Sequence, residues 1–270
     1  MTSEEHRHTR RMVFGEVAEA YDAGRSGYAE SMAAEVLAYA DLGDRGAVEV
    51  GAGTGKATVP FAARGVPLVC VEPDARMAEV LRRNTAGHPN VRIEVGDFEQ
   101  WQPGGRRHGL LFAASAWNWL DRERRWDLVH AALAPGGATA LIFGPHGIHD
   151  AGLRAALADI GARHGVKGSP HRFLARDLLG GEPGSWDRRW PEAECRRDGR
   201  FTELRSVRFG RDLRYGTERY LRHLDSLSAY RGLPAESRAQ ALDEIGRLLD
   251  AHGGGIDVHQ ATDIFLARAR

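Results

Sequence analysis

A glycine-rich loop between an apolar strand and a helix is the feature that most constrains how this chain folds. The loop, Gly51-Ala52-Gly53-Thr54-Gly55, follows the short apolar stretch 47–50 and leads into helical sequence from about position 57. Glycines at alternate positions let the backbone turn tightly, and they let a ligand approach it without meeting a Cβ atom. This strand–loop–helix unit predicts an α/β fold with a ligand at the carboxyl end of the strand.

Short apolar segments separated by helical segments continue the pattern. After 47–50, strands are predicted at 66–71, 91–95, 110–114 and 138–143, and two more at 201–215 and 256–270. Most of these segments lack polar alternation, which is typical of strands that are buried on both faces of a parallel sheet. The sequence therefore predicts an α/β fold with a mostly parallel seven-stranded sheet and helices on both faces.

The segments around this sheet divide the chain into three regions. Residues 1–34 are predicted to form N-terminal lid helices after a polar tail at 1–11, and 35–145 form the core, which the two later strands complete. Amphipathic and irregular segments at 146–200 and 217–252 predict a helical cap over the carboxyl edge of the sheet. A cap of this kind encloses a concave, dry pocket and favours a small-molecule ligand.

Charge and composition argue against several functional classes. The chain has 37 basic and 37 acidic residues, so it lacks the basic field that is typical of nucleic-acid-binding proteins. Its longest mostly apolar run, 110–120, is too short to cross a bilayer, and residues 1–11 lack the apolar segment of a signal peptide. Two cysteines suit a reducing compartment. We expect a cytoplasmic monomer or homodimer that binds neither nucleic acid nor membrane.

Spacing around the loop distinguishes among nucleotide-binding motifs. Glu72 ends the next strand 21 residues beyond Gly51, where a carboxylate can accept both hydroxyl protons of a ribose. In the dinucleotide fingerprint the third glycine would stand at Lys56, and the phosphate-binding P-loop pattern fails at both ends. The acidic start of the loop, Glu49, suits a cationic, amino-bearing ligand better than an anionic one. These features predict a nucleoside site without a pyrophosphate cradle.

Five segments, taken in order, resemble the class I S-adenosylmethionine (SAM)-dependent methyltransferases. In particular they are similar to the methyltransferase type 11 branch, which includes trans-aconitate-methyltransferase-like proteins. The segments are 51–58, 71–77, 96–98, 115–121 and 133–137. The resemblance implies a Rossmann-like fold, SAM as the cofactor, and methyl transfer to a small-molecule acceptor at oxygen or nitrogen rather than carbon.

The resemblance also implies a role for each residue of the cofactor site. Glu49 and the loop glycines would line the methionine and ribose parts of SAM, Glu72 would hold the ribose hydroxyls, and Asp97 would bond the adenine amino group. The implied cofactor-binding residues are Tyr21, Arg25, Glu49, Gly51, Ala52, Gly53, Gly55, Glu72, Pro73, Met77, Asp97, Phe98, Ala114, Ser115 and Trp117.

Two histidines after the fifth strand are the candidate catalytic residues. His146 and His149 stand at the sheet edge where the cofactor is expected, and either could act as a base or an orienting donor. The spacing of these histidines with Asp150 matches no known metal-ligand pattern, so no metal is predicted. The predicted acceptor pocket comprises Trp117, Asn118, His146, Tyr220, Ser228 and Tyr230.

Two alternative functions remain open at the level of sequence. The branch usually has histidine where Asn118 stands, so a SAM-binding protein of the same fold without methyl transfer is one alternative. An NAD(P)-dependent oxidoreductase on a related α/β fold is the other, although the glycine spacing and Glu49 argue against it.

Overall fold

A mixed β-sheet forms the centre of the molecule. The computed structural model describes residues 13–270, so the tail predicted at 1–11 lies outside the described residues. The strands are β1 (Ala47–Val50), β2 (Leu68–Glu72), β3 (Val91–Val95), β4 (His108–Ala114), β5 (Leu133–Phe143), β6 (His146–Ile148), β7 (Phe201–Gly216) and β8 (Gly255–Ala269). Strands β3-β2-β1-β4-β5 are parallel in that order, and β8 continues the sheet antiparallel to β5. The predicted fold class is confirmed.

The sheet has eight strands in the described part of the chain, one more than predicted. Strand β6 pairs antiparallel with β8, with His146 opposite Gln260, on the edge that β5 also uses, while β7 follows the other edge of β8. The chain leaves β5 through Gly144-Pro145 and rejoins the sheet at once, and the Ala261 N–H donates to the Pro145 carbonyl at 3.0 Å. A three-residue strand is too short to show a periodic pattern, so the sequence analysis missed it.

Helices cover both faces of the sheet because its strands alternate their apolar side chains between two clusters. In β4, Leu110 and Phe112 pack with Phe61 on one face, whereas Leu111 packs with Val129 on the other. The helices are α1 (Ala18–Gly24), α2 (Glu30–Ala40), α3 (Thr58–Ala62), α4 (Ala75–Asn84), α5 (Arg125–Ala132), α6 (Ala151–Arg163), α7 (Ala175–Leu179), α8 (Glu192–Asp198), α9 (Thr217–Asp225), α10 (Ser228–Arg231) and α11 (Ala235–Ala251). None of the described helices is long and apolar enough to span a membrane.

A third apolar cluster joins α6, α9 and α11 to the ends of β6, β7 and β8. Sequence periodicity predicts one helix over 217–230, but the structure divides it into α9 and α10. Leu227 interrupts the helix with extended backbone, φ −84° and ψ 138°. The break turns Leu227 toward the carboxyl ends of the parallel strands, where the cavities described below lie.

Candidate active site

The glycine loop turns directly above the carboxyl end of β1. Gly51, Gly53 and Gly55 all have positive φ, at 66°, 59° and 93°. A Cβ atom on Gly51 would stand 2.6 Å from the Cβ of Ala116, and one on Gly55 would stand 2.7 Å from a Leu81 methyl group. The first and third glycines are therefore required by tight packing and the second by its φ, because left-handed backbone is costly for residues with a side chain.

Glu72 bridges the loop and the start of α4 through its two carboxylate oxygens. Oε2 accepts the Gly53 N–H at 2.8 Å and Oε1 accepts the Asp74 N–H at 3.0 Å, while the residue is only 5% exposed. An ionised carboxylate has about four acceptor positions, two on each oxygen. The arrangement fits a ribose diol, whose two hydroxyls would bond one oxygen each.

Glu49 lies beneath the loop with its side chain buried. It accepts a hydrogen bond from the Thr58 hydroxyl at 2.6 Å and contacts the Cys70 thiol. Burial raises the pKa of Glu49 to about 8, since a charged carboxylate is costly away from water. A cationic amino group placed beside Glu49 would favour its ionised form, so this position fits an amino-bearing ligand.

Three connected cavities lie at this edge of the sheet. The loop cavity, of about 260 Å³, extends from the glycine loop to α10. The neck, of about 60 Å³, lies beside Glu49 and Lys56, and the cap cavity, of about 380 Å³, lies under the cap. Arg25 and Ser115 line all three cavities. A ligand in the loop cavity and a ligand in the cap cavity would therefore meet at these two side chains.

Twelve of the predicted cofactor residues line the loop cavity or the neck. They are Tyr21, Arg25, Glu49, Gly51, Ala52, Gly53, Glu72, Pro73, Met77, Phe98, Ala114 and Ser115. Gly55 instead supports the loop from beneath, and neither Asp97 nor Trp117 lines any of the three cavities. The acceptor carboxylates of Glu72 and Glu49, together with apolar Pro73, Met77 and Phe98, fit SAM.

The loop cavity also contains residues that sequence analysis did not assign to it. They are Phe14, Val50, Val71, Glu99, Ala116, Trp119, Leu120 and Leu227. Trp119 packs edge-on against Phe14, with ring centroids 5.6 Å apart, so the two rings form one wall. The 3-10 turn 117–119 directs its two tryptophans to different sides, and Trp117 packs in the core against Trp126 and the Arg125 guanidinium.

The predicted acceptor residues separate into three groups. Asn118, His146 and Tyr220 line the cap cavity, whereas Ser228 lines the loop cavity. Tyr230 is fully buried beneath the cap, where its ring meets His171 edge-on, and it lines none of the three cavities. The helix break before α10 was not predicted, so the positions of these two residues could not be predicted from helical periodicity.

Ser115 is the most strained of the residues that the cavities share. It follows β4 directly and has a φ of 57°, which is unusual for a residue with a side chain. Its N–H donates to the Ile142 carbonyl at 2.8 Å, and its hydroxyl lies 3.0 Å from the Tyr28 hydroxyl. Backbone strain of this kind is concentrated at functional sites, so the strain at Ser115 supports a functional role for the place where the three cavities share this residue.

His146 lies where the neck joins the cap cavity. Burial lowers the pKa of His146 to about 4, and the nearby Arg25 and Arg211 charges act in the same direction, so the ring is neutral near pH 7. Its Nε2 atom is buried and has no hydrogen-bond partner in the described residues. His149, the other candidate, lies outside the three cavities and is hydrogen-bonded to Asp212.

A buried carboxylate fixes one wall of the cap cavity. Asp263 on β8 is fully buried and accepts two bonds from Arg208, at 2.5 and 2.6 Å. It also accepts the Gly184 N–H and the Trp186 indole N–H, each at 2.7 Å. Trp186 lines the cap cavity, so this cluster holds the loop that carries the wall against the sheet.

Comparisons with known proteins agree with this geometry. Residues 47–137 match a family model described as a methyltransferase domain. The chain is 32% identical over 132 residues to an uncharacterized methyltransferase of Mycobacterium tuberculosis, and the match covers 49% of this chain and 52% of that protein. The chain thus spans about half the length of the curated relatives it matches.

Solved structures share the fold at low sequence identity. A protein of Anaeromyxobacter dehalogenans assigned to the type II methyltransferases has a TM-score of 0.57 at 18% identity, over 90% of this chain and 97% of that one. A phosphoethanolamine N-methyltransferase of Haemonchus contortus, solved with phosphomonomethylethanolamine and S-adenosylhomocysteine, has a TM-score of 0.51 at 12% identity, over 100% of this chain and 60% of that one.

The fold, the glycine loop and the family match are together those of the class I SAM-dependent methyltransferases. The match of residues 47–137 to the methyltransferase-domain model confirms the resemblance that the sequence motifs indicate. S-adenosylmethionine is the cofactor of this class.

Proposed function

We propose that the chain transfers the methyl group of SAM to an oxygen or nitrogen atom of a small anionic molecule bound in the cap cavity. The observation that carries the proposal is the junction at Ser115 and Arg25, which both the loop cavity and the cap cavity share. When bound, SAM supplies a methyl group on a positively charged sulfur. The chain then has to align the acceptor with that group and exclude water, and such alignment supplies on the order of 7–11 kcal/mol of a barrier.

The charges around the cap cavity favour an anionic acceptor. Three arginines line it, Arg25, Arg172 and Arg189, whereas Asp187 is the one carboxylate among its lining residues. Arg189 is paired with Asp187 at 3.2 Å, but Arg25 and Arg172 have no ion-pair partner in residues 13–270 that the structure describes. Phe143, Phe173, Trp186 and Tyr215 line the same cavity, and such aromatic walls suit a planar molecule.

A paired acceptor panel tests the function and the acceptor class together. Hydroxylated and amino-substituted aromatic carboxylates are compared with their methyl esters, and transfer of labelled methyl from SAM is measured. We expect turnover with several acids and at least about tenfold lower kcat/KM with the matched esters, since an arginine–carboxylate bond is worth about 1.5–3 kcal/mol. Esters that react as well as the acids would contradict an anionic acceptor. Tight SAM binding with no turnover on any acceptor would favour the SAM-binding alternative.

His146 is the residue best placed to take a proton from the acceptor. Its neutral ring lines both the neck and the cap cavity, and its Nε2 atom has no described partner. A hydroxyl acceptor must lose a proton as the new bond forms, and a positioned base contributes 100-fold or more. Asn118 lines the same cavity but cannot accept a proton in this way.

Substitution of His146 gives a direct test of that role. We expect His146→Gln to lower kcat about 100-fold with the best hydroxyl acceptor and to leave S-adenosylhomocysteine affinity within about threefold. Because the pKa of His146 is lowered to about 4, wild-type kcat should not fall as the pH is lowered from 7 to about 5. An unchanged kcat in the variant, or a wild-type rate that falls with an apparent pKa near 6.5, would exclude His146 as the base.

A further inference from the structure

Three metal-binding side chains meet on one face of the sheet, outside the cavities. His149 follows β6, Asp212 lies on β7 and His259 lies on β8, so neighbouring strands supply one side chain each. Asp212 and His259 are direct cross-strand partners, and the His149 N–H bonds the carbonyl of the neighbouring Asp257 at 3.2 Å. The sheet therefore fixes the relative positions of all three residues.

Both imidazoles are directed at the same carboxylate oxygen. The Nε2 atom of His149 lies 2.9 Å and the Nδ1 atom of His259 lies 2.8 Å from Oδ1 of Asp212. The three potential ligand atoms all lie within 4.8 Å of one another. A bound tetrahedral Zn²⁺ has ligands at about 2.0–2.2 Å, so its neighbouring ligand atoms are separated by about 3.4 Å. The observed N–O separations are roughly 0.5 Å shorter, so the side chains would have to move apart only slightly for an ion to bind.

The surroundings of the cluster hold His259 in place and leave a coordination position open. A Cβ atom on Gly210 would stand 2.4 Å from the His259 Nε2 atom, so only glycine leaves room for the ring there. The His259 side chain is 7% exposed, whereas those of His149 and Asp212 are 40% and 69% exposed. An ion could therefore enter from solvent and keep a water molecule as its fourth ligand.

We propose that His149, Asp212 and His259 form a binding site for a divalent transition-metal ion of the zinc type. Two imidazoles and one carboxylate are a donor set that Zn²⁺, Co²⁺ and Ni²⁺ bind in preference to Mg²⁺ or Ca²⁺, which take oxygen ligands. The ion would join β6, β7 and β8. Because β6 also begins with His146, the site would stabilise the strand that carries the proposed base.

Titration with Zn²⁺ and Co²⁺ tests this proposal on the full chain, free of any affinity tag. We expect one high-affinity equivalent by calorimetry, a visible Co²⁺ absorption band, and a higher Tm with Zn²⁺ because a ligand that binds only the folded state stabilises it. Loss of an outer-shell partner already weakens metal binding 10–100-fold, so loss of a direct ligand in His149→Gln or Asp212→Asn should weaken Zn²⁺ binding at least about tenfold. Both side chains are exposed, so these variants should fold normally.

A second histidine–carboxylate pair provides the matched control. His164 lies 3.0 Å from a Glu244 carboxylate oxygen, and no third metal-binding side chain joins this pair in the described residues. His164→Gln should therefore leave the high-affinity equivalent unchanged. The histidines at positions 6 and 8 lie outside the described residues. Any metal binding by them is the same in the wild type and in all of these variants. Absence of high-affinity binding in the wild type, or equal binding in His149→Gln, Asp212→Asn and wild type, would overturn the proposal.

Discussion

Replacing Glu72 by glutamine is expected to lower the affinity for S-adenosylhomocysteine about a thousandfold. Both carboxylate oxygens already accept a backbone N–H, from Gly53 and from Asp74, so neither position can take an amide NH₂ group without placing two donors together. The variant would also lose charge-assisted bonds to the ribose hydroxyls. Hydrogen bonds to a charged group are worth about 1.5–3 kcal/mol each, and two of them account for roughly three orders of magnitude in Kd.

Calorimetric titration of wild type and variant measures this effect, with Glu79→Gln as the matched control. Glu79 is an exposed glutamate on α4, where it pairs with Arg82 at 3.0 Å, so its substitution should leave the affinity unchanged. Thermal unfolding of each variant distinguishes weaker binding of S-adenosylhomocysteine from unfolding of the variant. An affinity within about threefold of wild type in Glu72→Gln, with the fold intact, would place the ribose elsewhere.

Replacing Asp263 by asparagine is expected to lower the free energy of unfolding by about 3–5 kcal/mol. The variant leaves the Arg208 guanidinium, which is 13% exposed, without its carboxylate partner, and the asparagine NH₂ cannot accept from Gly184 or Trp186 as Oδ2 does. Removal of one member of a buried ion pair is costly because the other charge stays away from water. Urea denaturation of wild type and variant gives the difference.

Asp257, which lies on the same strand as Asp263, provides the control for the stability measurement. Asp257 pairs with Arg214 at 2.7 Å, but both side chains are 56% exposed, so Asp257→Asn should change the free energy of unfolding by less than about 1 kcal/mol. Because Asp263 also holds Trp186 in the cap-cavity wall, its loss should raise the KM for the acceptor more than the Kd for S-adenosylhomocysteine. Equal stabilities of the Asp263 and Asp257 variants would contradict a stabilising role for the buried Asp263 carboxylate.

Local chemistry made the loop and its neighbours predictable from sequence. Alternate glycines after an apolar strand allow left-handed backbone, and an acidic residue at the end of the next strand supplies acceptor oxygens for hydroxyl groups. The structure places Gly53 and Glu72 in contact, with 2.8 Å between the Gly53 nitrogen and Oε2. Both residues line the loop cavity.

Residues whose positions depend on tertiary packing could not be predicted in the same way. The helix break at Leu227 has no glycine or proline to mark it, so the positions of Ser228 and Tyr230 could not be predicted from helical periodicity. His146 and His149 stand three positions apart in sequence, yet one lines the cap cavity and the other faces β7. The pairing of β6 with β8 separates them, and no local pattern encodes that pairing.

The helix break also has an energetic consequence for the two ligands. Leu227 is part of the wall of both the loop cavity and the cap cavity, and Arg25, held by the Ser226 hydroxyl at 3.1 Å, lines both as well. A molecule that shifts this shared wall on one side alters the surface that the other molecule meets. We therefore expect the two affinities to be thermodynamically coupled, and the factor by which the first ligand changes the binding of the second must then be the same in reverse.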